Sequence, residues 1–509
     1  MSEEILPPGW AKVEIKDLIS AGGVFADGDW VESKDQDPEG YVRLIQLADI
    51  GEGAFFDKSA RFLTSTKADE LRCTFLKKGD VLVARMPDPL GRACIFPLEG
   101  ENRFVTVVDV CIIRTSSEIA SPEFLTSAIN FLGTRKQIED LQTGTTRKRI
   151  SRGNLAHVLI PLPPLAEQKR IVAKIEELFS ELEAGEESLR VARRQLGVYR
   201  QSLLKQAFEG HLTAKWCTQN PAKLESPTAL LARIQSARER KGLRPSKVAL
   251  DVMDRVDDAL PPIPAKWHWI RLEHVAVIGT GMSVSQARTY DDPVEVPYLR
   301  VANVQRGRLD LSEMRTMQVE RSRLDELRVK AGDILFNEGG DRDKLGRGWV
   351  WSGQIDPCIT QNHVFRATPI STSIVIPEFI SHWGNAFGQD FFHLTGKQTT
   401  NLASISKATL SSLPVPVPPV EEQKEILRLL DEQFEVIERN EREIDGALRK
   451  SEALRQAILK KAFTGRLVPQ DPADEPASTL FARLRGEQIA SKDAASRRNR
   501  IPAKLPADR

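Results

Sequence analysis

The chain has 509 residues, 41% hydrophobic and 28% charged, with a formal net charge of +1. That length exceeds one ordinary core and favours two to four domains, while no run approaches the ~20 apolar residues of a membrane helix. Met1–Pro8 lacks a signal-peptide pattern, and five scattered cysteines (Cys73, Cys94, Cys111, Cys217, Cys358) lack paired spacing, which points to reduced thiols in a cytoplasm.

In chain order, Leu6-Pro7-Pro8-Gly9-Trp10 comes first, followed by strand-like runs at Tyr41–Leu47, Val81–Arg85 and Val105–Arg114. These are rich in Val and Ile and bounded by Gly, Asp and Pro. An amphipathic helix is expected over Pro122–Leu141, with proline in its first turn. A polar Gly/Thr loop and a short strand-like stretch then lead into a Pro-rich hinge, and no proline falls between Glu167 and Glu209. There the apolar positions Ile171, Ile175, Leu178, Leu182, Leu189, Leu196, Tyr199 and Leu203 keep steps of four and three, interrupted at Gly185 and Ala192. A heptad held over this length is a coiled-coil signal. Gly210 ends that helix, and a shorter one is expected at Thr228–Lys241.

The plan then begins again. Ile263-Pro264-Ala265-Lys266-Trp267 echoes the opening motif, Ala331-Gly332-Asp333-Ile334-Leu335 echoes Lys78-Gly79-Asp80-Val81-Leu82, and Pro377-Glu378-Phe379-Ile380 echoes Pro122-Glu123-Phe124-Leu125. The clearest pair is Pro163-Pro164-Leu165-Ala166-Glu167-Gln168-Lys169 against Pro418-Pro419-Val420-Glu421-Glu422-Gln423-Lys424, an offset of 255 residues. Strands are expected at Ile334–Asn337 and Trp349–Ser352, and a helix over Pro377–Leu394. The alternating aromatics Phe336, Trp349 and Trp351 read as core, as on one strand face. A second long helix carries the seam Ile426, Leu430, Ile437, Ile444, Leu454 and Ile458, with polar Gln433 and Asn440 on it. Such polar seam residues fix register. Two helices packed on separate domains would give the same periodicity, so pairing is an expectation. A short helix at Ser478–Gln488 and a basic, disordered tail after Ser491 complete the chain.

Catalytic signatures are missing. The seven histidines form no His-x-x-x-His and have no cysteine pair beside them, and no Gly-x-x-x-x-Gly-Lys-Ser/Thr occurs. An Asn/Asp-Pro-Pro-Tyr/Phe tetrapeptide is also absent. Gly279-Thr280-Gly281, with Ala21-Gly22-Gly23 as its counterpart, reads as a turn, and Pro87-Asp88 with Glu99 and Glu101 lacks the lysine of a nuclease. No catalytic or metal site is expected.

Twice in one chain, a proline pair precedes Glu-Gln-Lys and a heptad helix. With Ala207-Phe208-Glu209-Gly210-His211-Leu212-Thr213-Ala214-Lys215-Trp216 and two Gly-Asp-Ile/Val-Leu motifs, this resembles the specificity subunits of type I restriction–modification systems. The likeness covers nearly the whole chain; the opening motif of the second copy departs from it by Pro264-Ala265-Lys266-Trp267 in place of Pro-Pro-Gly-Trp. It implies an α+β fold: two similar α/β target-recognition domains joined by two long helices in an antiparallel coiled coil with pseudo-two-fold symmetry. The corresponding division is 1–160 and 261–413 for the domains, 161–212 and 414–466 for the hinges and long helices, 213–260 for a connector and 467–509 for the tail. The resemblance further implies double-stranded DNA, two methyltransferase subunits and motor–nuclease subunits as partners, with no membrane. S-adenosylmethionine, ATP and Mg would belong to those partners and no cofactor to this chain. The competing expectation is a coiled-coil scaffold that binds proteins without DNA specificity.

Residues 1–160 hold 20 Lys and Arg against 24 Asp and Glu, so the cation run in Thr143–Arg152 stands out. Thr145, Arg147, Lys148, Arg149 and Arg152 are therefore candidate DNA contacts, with Lys397, Gln398 and Asn401 in the matching loop. Hydroxyls and cations suit phosphates, while Arg, Gln and Asn can read base edges. Arg92 and Arg347, each after a glycine, form a second set with Arg342 and Lys344. For the matched arginines, DNA contact and buttressing of the fold are equally open.

Overall fold

The computed structural model describes residues 6–19, 23–87, 89–115, 118–144, 148–243, 260–284, 289–340, 345–395, 397–398 and 403–483. The expected tail after Ser491 lies outside them. The chain divides into two compact units, Met1–Arg190 with Asp445–Arg509, and Val191–Ile444.

In the first unit, β1 (Ala11–Glu14) pairs antiparallel with β9 (Leu159–Leu162). A four-stranded antiparallel sheet runs β2 (Val24–Asp27), β8 (Val110–Arg114), β5 (Val81–Ala84), β6 (Ala93–Ile95). A three-stranded sheet runs β4 (Phe62–Leu63), β3 (Val42–Ile45), β7 (Phe104–Thr106), with β3 and β7 parallel. β5 is apolar at every position because both of its faces are covered. Val81 and Val83 join the core under the helices, and Leu82 and Ala84 join a second core with Phe96 and Phe104. The expected run Val105–Arg114 is two strands in different sheets, split by a turn in which Val110 N donates to Val107 O. The helix expected over Pro122–Leu141 also divides, into Pro122–Asn130 and Leu132–Asp140. Phe131 takes extended backbone there and stacks on Phe463 at 5.5 Å.

The second unit repeats this plan. His268–Arg271 pairs with Pro414–Val417, and Ala276–Gly279, Val364–Pro369, Ile334–Asn337 and Gly348–Val350 form the four-stranded sheet. Arg315–Glu320, Pro293–Leu299 and Ile359–Thr360 form the three-stranded one. The helix expected over Pro377–Leu394 breaks at Phe387, giving Pro377–Ala386 and Gly388–Thr395. Phe336 and Trp351 are buried and Trp349 packs edge-on to His382, so the aromatics serve the core.

Matched polar pins hold each frame. Asn130 both accepts from Ala93 N and donates to Ala93 O, and Asn385 does the same with Gly348. Asp80 holds Arg114, while Asp333 accepts from Thr368 Oγ1 beside Arg366. Trp10 Nε1 donates to Glu167 Oε2 at 3.0 Å, and Trp267 Nε1 to Glu422 Oε2 at 3.0 Å. Gln168 Nε2 caps the carbonyls of Ile119 and Pro163, and Gln423 Nε2 those of Ile374 and Pro418. The repeated Glu-Gln pair therefore points inward and welds the hinge to its domain. Burial raises the carboxyl pKa of Glu167, against the lowering effect of the Trp10 bond.

Both long helices have 44 residues, Leu165–Phe208 and Val420–Phe463, or ~66 Å each at ~1.5 Å per residue. Within the second unit Thr213 bonds Glu422 and Tyr199 bonds Gln433, so the two segments run antiparallel. Within the first, Glu183 faces Arg455 and Glu186 faces Ser451. Ile171, Ile175, Leu203, Ile426, Leu430, Ile437 and Ile444 are buried. Leu178, Leu182, Leu189, Leu196 and Ile458 are partly buried. Leu454 is a correction: it is 51% exposed. At its level the contact is polar, because Arg455 and Ser451 bond Glu186 and Arg455 lies over the Phe179 ring at 5.1 Å. Arg200 over Phe434 at 5.2 Å is the equivalent contact in the second unit. Each helix ends on a glycine of positive φ, and a Cβ on Gly210 or Gly465 would lie 2.2 Å from Pro264 Cγ or 2.3 Å from Pro7 Cγ.

The five cysteines form no disulfide, and no described helix is long and apolar enough to cross a membrane.

Buried titratable groups give the units opposite acid responses. In the second unit, burial lowers His274 and His382 from 6.5 to about 4, with Arg238 and Arg271 adding to the effect at His274 and Arg200 at His382. Stability from these neutral rings is present above pH 6.5 and lost as pH falls toward 4. In the first unit, burial raises Asp29 from 3.8 to about 6, so its contribution is lost as pH rises through that range. Asp431, half-exposed in the second unit, is raised as well and opposes the histidines there. Moving from neutral pH to pH ~5 should therefore weaken the second unit relative to the first. Site-resolved proteolysis in urea checks this, and His274→Leu should flatten the dependence. An equal acid response in both units would count against it.

Candidate nucleic-acid interface

The first candidate loop is tied at its base. Thr143 and Arg149 exchange two backbone hydrogen bonds of 2.8 and 2.9 Å, and Ile150 is fully buried behind them. Lys148 and Arg149 are exposed on the returning arm. Arg152 heads the short helix Arg152–Ala156, with Ser151 as its cap, and its exposed guanidinium lies 4.0 Å from Asp27. Thr145 and Arg147 lie outside the described residues.

The matching loop is built differently. Lys397–Gln398 pairs antiparallel with Ala403–Ser404, which also pairs with Gly339–Gly340. The backbone of Lys397 and Gln398 thus belongs to a small three-stranded tongue. Asn401, Arg342 and Lys344 lie outside the described residues.

Arg92 does not belong with these. It is 8% exposed, and its guanidinium donates to the carbonyls of Ile50, Leu47, Met86 and Pro89. A side chain so enclosed buttresses the junction with the three-stranded sheet and has no reach to a phosphate. Arg347 is half-buried and donates toward Val301 O at 3.4 Å, in the equivalent direction. Arg92 thus serves the frame.

The Gly279–Gly281 segment is a site of close strand approach. A Cβ on Gly281 would lie 2.2 Å from Gln361 O, and one on Gly28 2.2 Å from Val107 O. Gly28, rather than Gly22 or Gly23, is its counterpart. Among the described residues no His, Cys, Asp and Glu group is arranged to hold a metal ion.

Sequence reasoning passed over Arg85 and Glu338, which stand at the feet of the two loops. Ile150 N donates to Arg85 O, and Ile405 N to Glu338 O. The available signal was position: each follows the strand that begins after a repeated Gly-Asp.

Known proteins resemble this chain over most of its length. The Escherichia coli type I restriction enzyme EcoBI specificity subunit is 25% identical over 392 residues, covering 75% of each protein. The StySPI specificity subunit of Salmonella potsdam is 22% identical over 507 residues, covering 96% of this chain and 98% of that protein. A chain from a solved type I R-M system shares the fold at TM-score 0.63 and 21% identity, covering 91% of this chain and 100% of its own. Matching the type I restriction modification DNA specificity domain over residues 7–190 and again over 264–447, the chain belongs to that family.

Proposed function

We propose that each unit reads one half of a bipartite, asymmetric DNA target, and that the chain is the non-catalytic specificity subunit of a type I restriction–modification complex. The observation that carries this reading is a frame repeated pin for pin around reading loops that are not alike. Trp10–Glu167 matches Trp267–Glu422 and Asn130 matches Asn385, yet a basic loop on one base pair of residues replaces a three-stranded tongue. Two different readers on one frame call for two different half-targets.

The relatives are named as specificity subunits of type I restriction enzymes, and on the reading proposed here the chain's partners are two methyltransferase subunits and motor–nuclease subunits, in the cytoplasm. S-adenosylmethionine, ATP and Mg then serve those partners. The near-neutral charge fits this division, since a lone reader of +1 neutralises few phosphates. Mapping N6-methyladenine in a host with and without the gene tests the reading. One split motif should vanish with the gene. Unchanged methylation, together with no sequence preference in gel shifts of the chain with its methyltransferase, would favour the protein-binding scaffold.

A further inference from the structure

One position in the repeated frame carries opposite chemistry in the two copies, and it sits under the reading loops. Arg85 follows β5, and Glu338 follows Ile334–Asn337. Arg85 N donates to Asp109 O at 2.8 Å, and Glu338 N to His363 O at 2.9 Å. Their own carbonyls accept from Ile150 N at 3.1 Å and Ile405 N at 2.8 Å. Ile150 and Ile405 are buried, so each loop returns to the core at this point. The position ties together the central strand, the turn before its neighbour and the foot of the loop.

The side chains then diverge. Arg85 is 6% exposed; it donates to Ile150 O at 3.3 Å and to Val108 O, with Nε 3.3 Å from Asp27 Oδ1. Glu338 meets His363 instead, Oε2 to Nδ1 at 2.6 Å, nearer the surface. We propose that Arg85 and the Glu338–His363 pair are positioning residues that fix the posture of the adjacent reading loop and thereby set the half-target preference of their own unit. This rests on the reading that these loops meet DNA. A buried guanidinium has no path to a phosphate, so Arg85 acts through Ile150 and the loop before it. Base readout needs side chains held within ~0.5 Å, whereas a phosphate attracts a displaced cation almost as well. Loosening the foot should therefore erode discrimination more than affinity.

The test uses the full chain assembled with its methyltransferase subunits, on duplexes with the cognate target or one mismatch in either half. Arg85→Met should lower the cognate-to-mismatch methylation ratio about tenfold in one half, the lower part of the range a mismatch commands. The ratio for the other half and the salt dependence of binding should stay unchanged. Glu338→Ala should do the reverse, while Glu338→Gln keeps the His363 bond and stays near the parent. Asp27→Asn retains the carbonyl bonds of Arg85 and should give a smaller shift in the same half, which keeps the test open should Arg85→Met fail to fold. Ratios unmoved in all folded variants, or lowered equally in both halves, would overturn the positioning role. A parent complex that ignores both mismatches would instead defeat the DNA reading itself.

Discussion

Deleting the chain from Leu459 onward is expected to unfold the N-terminal domain and spare the domain nearer the cut. Leu459, Ala462, Phe463 and Ala477 are buried in the first unit's core with Trp10, Phe124 and Ile171. Phe463 alone touches Phe124 and Phe131, at ring distances of 5.6 and 5.5 Å. Truncating a buried phenylalanine costs ~3–5 kcal/mol, and each further buried leucine adds ~2–5, against a domain stability of ~5–15 kcal/mol. The deletion also removes Asp474, the ion-pair partner of Arg170, and the bond from Ala477 N to Gly9 O. The second unit's core, by contrast, takes its last buried residue at Ile437. Hydrogen exchange should show protection lost across residues 11–162 and kept across 268–417. Protection lost only in the second stretch would contradict the division of the chain.

How much of this was legible in the sequence depended on whether the cause was local. The offset of 255 residues exposed the repeat because Trp10, Glu167 and Gln168 must recur together for each hinge to close. The helix over Pro122–Leu141 looked continuous because nothing at Phe131 breaks a helix; the break serves a ring on Phe463, far along the chain. Leu454 fitted the heptad, yet Glu186 on the facing helix draws Ser451 and Arg455 into the contact. For Arg92 the sequence left DNA contact and buttressing equally open, because its partners are backbone carbonyls, which leave no mark in side-chain identity. The candidate interface was legible as a charge contrast in an otherwise acidic domain. Its fastening through Arg85 and Glu338 was not, because their side chains meet partners far along the chain, the carbonyls of Val108 and Ile150 for Arg85 and the His363 ring for Glu338.

Replacing Arg147, Lys148 and Arg149 with alanine is expected to weaken recognition of one half-target and leave preference at the other intact. The fold should survive, since the loop base is held by the Thr143–Arg149 backbone pair and by buried Ile150, neither of which needs the lost side chains. Each lost phosphate contact should lower the slope of log affinity against log salt by ~0.9. Each lost base contact should instead remove ~1–3 kcal/mol of discrimination at one position. The two contributions separate experimentally: phosphate loss acts on cognate and mismatched duplexes alike, base loss on the cognate alone. Exposed Lys148 suits the first role, while an arginine offers the paired donors of the second. With three cations removed, the salt slope should fall by up to ~2.7 and the cognate-to-mismatch ratio should drop in one half only. Salt titrations of binding, combined with methylation of half-mismatched duplexes, measure both. An equal loss of preference at both halves would mean that the loop serves folding or docking of a partner subunit instead.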